Sequence, residues 1–458
     1  MASVVAVRAT SLFGLILLQL LVSQILLTQA GGNQSGPQVP REVTAWLENA
    51  ALPLGGTSPK SGLDDLRQLR STIGNARIVA MGEATHGTHE FFQLKHRMLE
   101  FLVERMGFTV FGIEANWPES LEVNDYVLNG NGDPAQALAG LYFWTWNTEE
   151  VLDLIVWMRS YNQDPTHTKK VKFVGFDMQT TRLAVANVDA YLRQVDPEEA
   201  KFASTILVPL SDASGEREYA NKSEQFRQKT AVGINSLLAR FDGEKNRYVG
   251  SSSLQGWVVA RHNLDVVRQA EEMHSANPTE RFSIRDRSMA ENVKWILDNE
   301  SPGSRVMLWA HNGHVSTLPV GAGEPMGTSL RRMYGKDMVV CGFSFDSGSF
   351  QAIEQGKGLR EFTVGPAIPG SLDSALAAIG LPVFAIDLRT APSTGPVAAW
   401  LNAPQLMRSI GAVYREGVPE AFFAPLNPHS FDVIFFVNRT TAAHENAKPL
   451  QIEPHGGA

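Results

Sequence analysis

The residues from Ile78 to Ala115 constrain the fold more than any other stretch of the chain. Ile78 to Met81 is a short apolar run bounded by Gly82, the length and punctuation of a buried strand. Glu83, Thr85, His86 and His89 crowd in next. From Glu90 onward Phe91, Leu94, Met98, Leu99 and Leu102 recur mostly at steps of three and four, which predicts an amphipathic helix. Gly107 stands where a C-terminal glycine would close that helix. A second strand-like run, Thr109 to Ile113, then delivers Glu114. Strand, helix and strand make a βαβ unit, and such units build open sheets whose carboxyl edge collects ligands and reactive groups.

Other apolar runs extend the same pattern. Lys172 to Phe176 ends in Asp177, and Arg305 to Ala310 exits into His311-Asn312-Gly313-His314. Val339 to Phe345 precedes Asp346-Ser347-Gly348, while Pro382 to Asp387 and Asp432 to Val437 close the series. Between Thr181 and Asn299 the apolar residues keep helical spacing, as in Val185, Val188 and Leu192, and no strand-like run occurs. The expected architecture is therefore α/β, a three-layer α/β/α core interrupted by a mainly helical insertion.

The expected boundaries follow from these patterns. Residues 31–76 form an N-terminal segment, 77–180 and 301–441 the two parts of the core, and 181–300 the insertion. Residues 442–458 read as a flexible tail. Residues 1–30 read as a signal peptide: Arg8 precedes the apolar stretch Leu12 to Leu27, and Thr28-Gln29-Ala30 offers small residues for cleavage. This predicts export, with no stable membrane insertion once the segment is removed. A net charge of −8 without basic runs argues against a nucleic-acid partner. Cys341 is the only cysteine, so no internal disulfide can form, and its apolar surroundings suit a buried side chain.

Glu83/His86, Glu114, Asp177 and His311/His314 all fall at predicted strand exits, the clustering expected of an active site. An ionised carboxylate beside an imidazole orients it and favours its protonated form, which suits Glu83 and His86 to general-base work. Lys95, nine residues past His86, sits where a lysine is more often solvated, and is given only a supporting role, in substrate binding. Among the aromatics between Ala135 and Trp146, Trp144 and Trp146 are candidates to line an apolar substrate pocket. No Gly-x-Ser-x-Gly occurs. His89-Glu90-Phe91-Phe92-Gln93 places glutamine where a zincin needs its second histidine. Water attack assisted by histidine and carboxylate remains, with or without a metal.

Gly82-Glu83-Ala84-Thr85-His86-Gly87-Thr88-His89-Glu90-Phe91-Phe92, the Gly112-Ile113-Glu114 exit, Arg285-Asp286-Arg287-Ser288-Met289-Ala290 and Trp309-Ala310-His311-Asn312-Gly313-His314 together resemble the erythromycin esterase family. The matching blocks spread from about Ile78 to Val437. The resemblance implies an α/β core with added helices and hydrolysis of a macrolide lactone, hence a part in antibiotic resistance. It also implies His86 as the base for water, Glu83 as its partner, and Glu114, His311 and His314 completing the cleft. Lys95 stands where the family pattern can have arginine, and lysine cannot repeat a bidentate contact. The reading is a metal-independent ester hydrolase that needs no cofactor and takes a small-molecule ester. Two alternatives stay open: a metal-dependent hydrolase using His86, His311, His314 and the two carboxylates, and a ligand- or haem-binding protein without turnover.

Overall fold

A computed structural model describes residues 39–211 and 219–450. The predicted signal segment and the last residues of the predicted tail lie outside them. The βαβ unit forms as its periodicity requires: β2 is Ile78–Met81, helix α1 is His89–Met106, and β3 is Val110–Asn116. Gly107 closes α1 in the left-handed conformation, at φ 73°. Glu114 therefore sits inside β3 rather than just past its end.

β2 and β3 do not pair with each other. β5 (Val306–Trp309) lies between them, and β4 (Lys172–Asp177) flanks β3 on the far side. β6 (Met338–Glu354) and then β11 (Val433–Thr440) continue the sheet beyond β2. All of these pairings are parallel, so the ends of β2, β3, β4 and β5 open on one edge. β8 (Val383–Asp387) and the two-residue β1 (Leu52–Pro53) finish that side antiparallel.

Alternation along the strands feeds two cores. Ile78 and Ala80 pack with the insertion helices on one face, while Val79 and Met81 pack against α1 and helix α2 (Glu149–Gln163) on the other. Burial on both faces explains why the strands read as continuous apolar runs. The sheet is thus the middle of three layers, as expected. Between β4 and β5 the described residues form helices, ending in α3 (Pro278–Asp298).

Two expectations need correction. β6 does not stop at Phe345 but runs on to Glu354, because its second half pairs with β7 (Gly358–Val364) in a hairpin. The segment after Thr441, expected to be unstructured, is stitched to the body through residue 446. Ala443 N–H donates to Gly87 O (3.0 Å), His444 O accepts from Glu149 N–H (2.8 Å), and Asn446 N–H donates to Asn147 O (2.9 Å). Its partners come from loops hundreds of residues earlier, so no local pattern announces it. Cys341 is buried as a free thiol. Among the described residues no helix is long and apolar enough to cross a membrane.

Candidate active site

The loop leaving β2 reaches the carboxyl edge through two glycines that a side chain could not replace. A Cβ on Gly82 would lie 2.1 Å from Asn312 Oδ1, and one on Gly87 2.3 Å from Gln351 O. This close approach presses the loop between β5 and β6 and fixes Glu83 and His86. Asn312 N–H donates to the Glu83 backbone carbonyl at 2.9 Å, tying the β2 and β5 exits together.

Glu83 is fully buried, and three donors take up its carboxylate. Oε1 accepts from His86 Nδ1 at 2.7 Å, while Oε2 accepts from Lys95 Nζ at 2.5 Å and Trp309 Nε1 at 2.7 Å. Burial alone would raise this carboxyl, but the charges of Lys95 and His86 outweigh it and hold the group below its ordinary range. Burial pushes Lys95 down to about 8, against the opposing pull of Glu83. With Nδ1–H given to Glu83, the His86 lone pair lies on Nε2, which makes no hydrogen bond to any described residue. That is the tautomer a general base requires.

His311 lies beside it, ring centroids 5.0 Å apart and tilted by 44°. Its Nδ1 accepts from Gly313 N–H at 3.1 Å, so the hydrogen of the neutral ring sits on Nε2. That Nε2 is buried and finds no partner among the described residues. Burial, reinforced by His86, pushes the imidazole down to about 3, so His311 stays neutral at physiological pH. A buried donor without an acceptor is costly and calls for an explanation.

A second cluster occupies the exits of β3 and β4. Arg285, from α3, donates to Asp177 Oδ2 and Glu114 Oε1 at 2.6 Å each. Glu114 Oε2 accepts the His311 backbone N–H at 3.0 Å. His314 Nδ1 lies 2.9 Å from Asp286 Oδ2, and its Nε2 lies 3.2 Å from Glu114 Oε1. Burial would lower His314, but Asp286 and Glu114 overcome it and push the imidazole up to about 10. Burial raises Asp286 as well, but the proton they share rests on the imidazole, because His314 has Glu114 as a second carboxylate partner. Burial would also raise Glu114, yet His314 and Arg285 hold it well below the carboxylate range.

The structure thus brings His86, Glu83, Glu114, His311 and His314 to one edge. Lys95 differs from the solvated residue expected: it is fully buried, 4.3 Å over the Trp309 ring, and holds Glu83 rather than a ligand. Trp146 meets the edge of His86 at 6.1 Å, but its Nε1 is committed to Glu114 O (2.8 Å) and its ring is 1% exposed. It backs the histidine and offers no open face to a large ligand. Trp144 is half-buried. Sequence reasoning gave no role to Trp309, Arg285 or Asp286, which entered only within the blocks that carry the family resemblance. The Arg285-Asp286-Arg287 run was the available signal.

As a metal centre, the set His86, His311 and His314 fits poorly. Both His314 nitrogens face carboxylates, and Arg285 Nη1 stands 3.1 Å from its Nε2, where it would repel a cation. Among the described residues, the donor atoms that converge closely enough for a metal belong to a different group.

The profile of erythromycin esterases matches residues 103–440, which include Glu114, Asp177, Arg285, Asp286, His311 and His314. The chain belongs to the erythromycin esterase family. The Bacillus subtilis protein YbfO is 26% identical over 79% of this chain and 84% of its own length. Erythromycin esterase type II from Escherichia coli is 24% identical, covering 76% of this chain and 89% of that protein. A Bacillus cereus protein of known crystal structure superposes with a TM-score of 0.80 at 27% identity, over 90% of this chain and all of that one. Membership of this family points to a hydrolase with a small-molecule substrate.

Proposed function

We propose that this erythromycin esterase family member hydrolyses a carboxylic ester, with His86 as general base and His311 as the donor that stabilises the oxyanion. One observation carries the reading. Two adjacent imidazoles each keep an uncommitted Nε2, one bearing a lone pair and the other a hydrogen. Base and donor are the two functions that water attack on a carbonyl needs.

In this reading His86 Nε2 takes a proton from water while the oxygen bonds to the ester carbonyl carbon. The π electrons move onto the carbonyl oxygen, which His311 Nε2–H receives. Collapse of the tetrahedral species breaks the bond to the alcohol oxygen, and the His86 imidazolium returns the proton to that leaving group. Acid and alcohol result. Glu83, kept ionised by Lys95 and Trp309, holds the ring in place and stabilises the imidazolium.

The substrate class proposed is a bulky macrolide-type lactone, supported by likeness to the type II esterase, and the biological role is antibiotic inactivation after export. A panel of macrolides and simple esters, followed by mass spectrometry for the gain of one water, tests both levels. Ring opening by the wild type and not by His86→Ala is the expected result. Hydrolysis of simple esters alone would remove the macrolide, and no hydrolysis of any ester would remove the reaction class.

A further inference from the structure

At the N-terminal end of α1, three residues remote in sequence meet. His89 opens α1, Glu150 lies in the first turn of α2, and His444 belongs to the segment after β11. Both imidazoles aim Nδ1 at one carboxylate oxygen. Glu150 Oε1 lies 2.5 Å from His89 Nδ1 and 2.8 Å from His444 Nδ1. The rings stand edge to face, centroids 5.0 Å apart. These are the three donor atoms that converge closely enough to hold a metal among the described residues.

We propose that His89, Glu150 and His444 form a divalent-cation site of zinc-binding character that fastens the C-terminal segment to the loop carrying His86. The inference stands apart from the proposed ester hydrolysis and uses none of its residues.

Donor chemistry fits first: two imidazoles and one carboxylate form a three-ligand set that leaves a fourth position open for water. That position has room, because the three residues line an open cavity of about 70 Å³. Its remaining wall includes Glu149, Asp153 and His96 but neither lysine nor arginine, so the cavity favours a cation. His96 is 5% exposed, and its Nε2 makes no hydrogen bond, the nearest carboxylate oxygen being Glu100 Oε1 at 3.4 Å.

The spacing fits after a small expansion. Ligands about 2.0–2.1 Å from a tetrahedral ion stand roughly 3.3 Å from one another, about 0.8 Å wider than the His89–Glu150 contact and about 0.5 Å wider than the His444–Glu150 contact. His444, its side chain 59% exposed, can supply the second of these movements, and His89, 23% exposed, has the larger one to make. The His444 backbone N–H also reaches the second Glu150 oxygen, at 3.2 Å, and would orient the carboxylate from the outer shell.

The site matters because of what it would fasten. Thr441 O accepts from His89 N–H (3.0 Å), and Ala443 N–H donates to Gly87 O (3.0 Å), directly behind His86. An ion held by His89 and His444 would close this strap with a stronger link than hydrogen bonds.

The test uses the full chain, stripped with a chelator, dialysed, and titrated with zinc chloride by calorimetry. Wild type should take up one saturable equivalent, and its Tm should rise by about 3 °C at a hundredfold excess over Kd. His444→Ala should keep its circular-dichroism spectrum and lose that equivalent, whereas His86→Ala should retain it. If His444→Ala fails to fold, His444→Gln serves as the second variant. No saturable uptake by wild type, uptake unchanged in the His444 variant, or loss of the equivalent in His86→Ala would each overturn the site.

Discussion

The two halves of the active-site edge contain similar residues in opposite states. Around Glu83 the carboxylate is satisfied, but His86 and His311 each keep a free Nε2. Around Glu114 every strong group is spent: Arg285 on Asp177 and Glu114, His314 on Asp286 and Glu114. Chemistry needs an unused valence, so in the proposed reaction the first half acts on the substrate while the second holds β3, β4, α3 and the His311 loop in register. The Glu114–His311 backbone contact, at 3.0 Å, is where the second half positions the first.

This contrast can be broken by mutation. The largest expected effect is on rate: His86→Ala should lower kcat by about 10² to 10⁴ while leaving the denaturation midpoint nearly unchanged. Steady-state kinetics beside urea titration checks both parts. Arg285→Leu should do the reverse in kind. It strands the buried carboxylates of Asp177 and Glu114, and destabilisation of roughly 3–5 kcal/mol is expected, read from denaturant unfolding. A stable Arg285→Leu protein would show that the second half is not a scaffold.

His311→Leu sharpens the division. Losing one oxyanion donor should cost about 10² to 10³ in kcat with KM little changed. Stability should hold or rise, because an orphaned buried donor disappears. Unfolding with normal kcat would assign His311 to the structural half instead.

The smallest effect concerns pH. Lys95 is a cation below about 8 and neutral above it, so Glu83 loses its countercharge as pH rises. Activity should decline above about pH 8, and Lys95→Arg, which keeps its charge, should move that limb upward. A kcat/KM profile from pH 7 to 10 for both proteins decides it: an unmoved limb removes Lys95 from the mechanism.

How much of this was legible follows from the range over which each feature is decided. The βαβ unit, its closing glycine and the Glu83–His86 pair depend on spacings of a few residues, so periodicity and composition reveal them. The helical character of the stretch between β4 and β5 is legible for the same reason. The burial of Lys95 was not, because it depends on Trp309 arriving from β5, and β5 reaches α1 only through its place between β2 and β3. The Arg285–Asp177 and Arg285–Glu114 pairs close over more than a hundred residues, and the tail's bonds over far more. The sequence by itself determined which residues could do chemistry at a strand exit. Tertiary structure decided which nitrogens stay free, since only strand order and helix docking say which donors and acceptors are already taken.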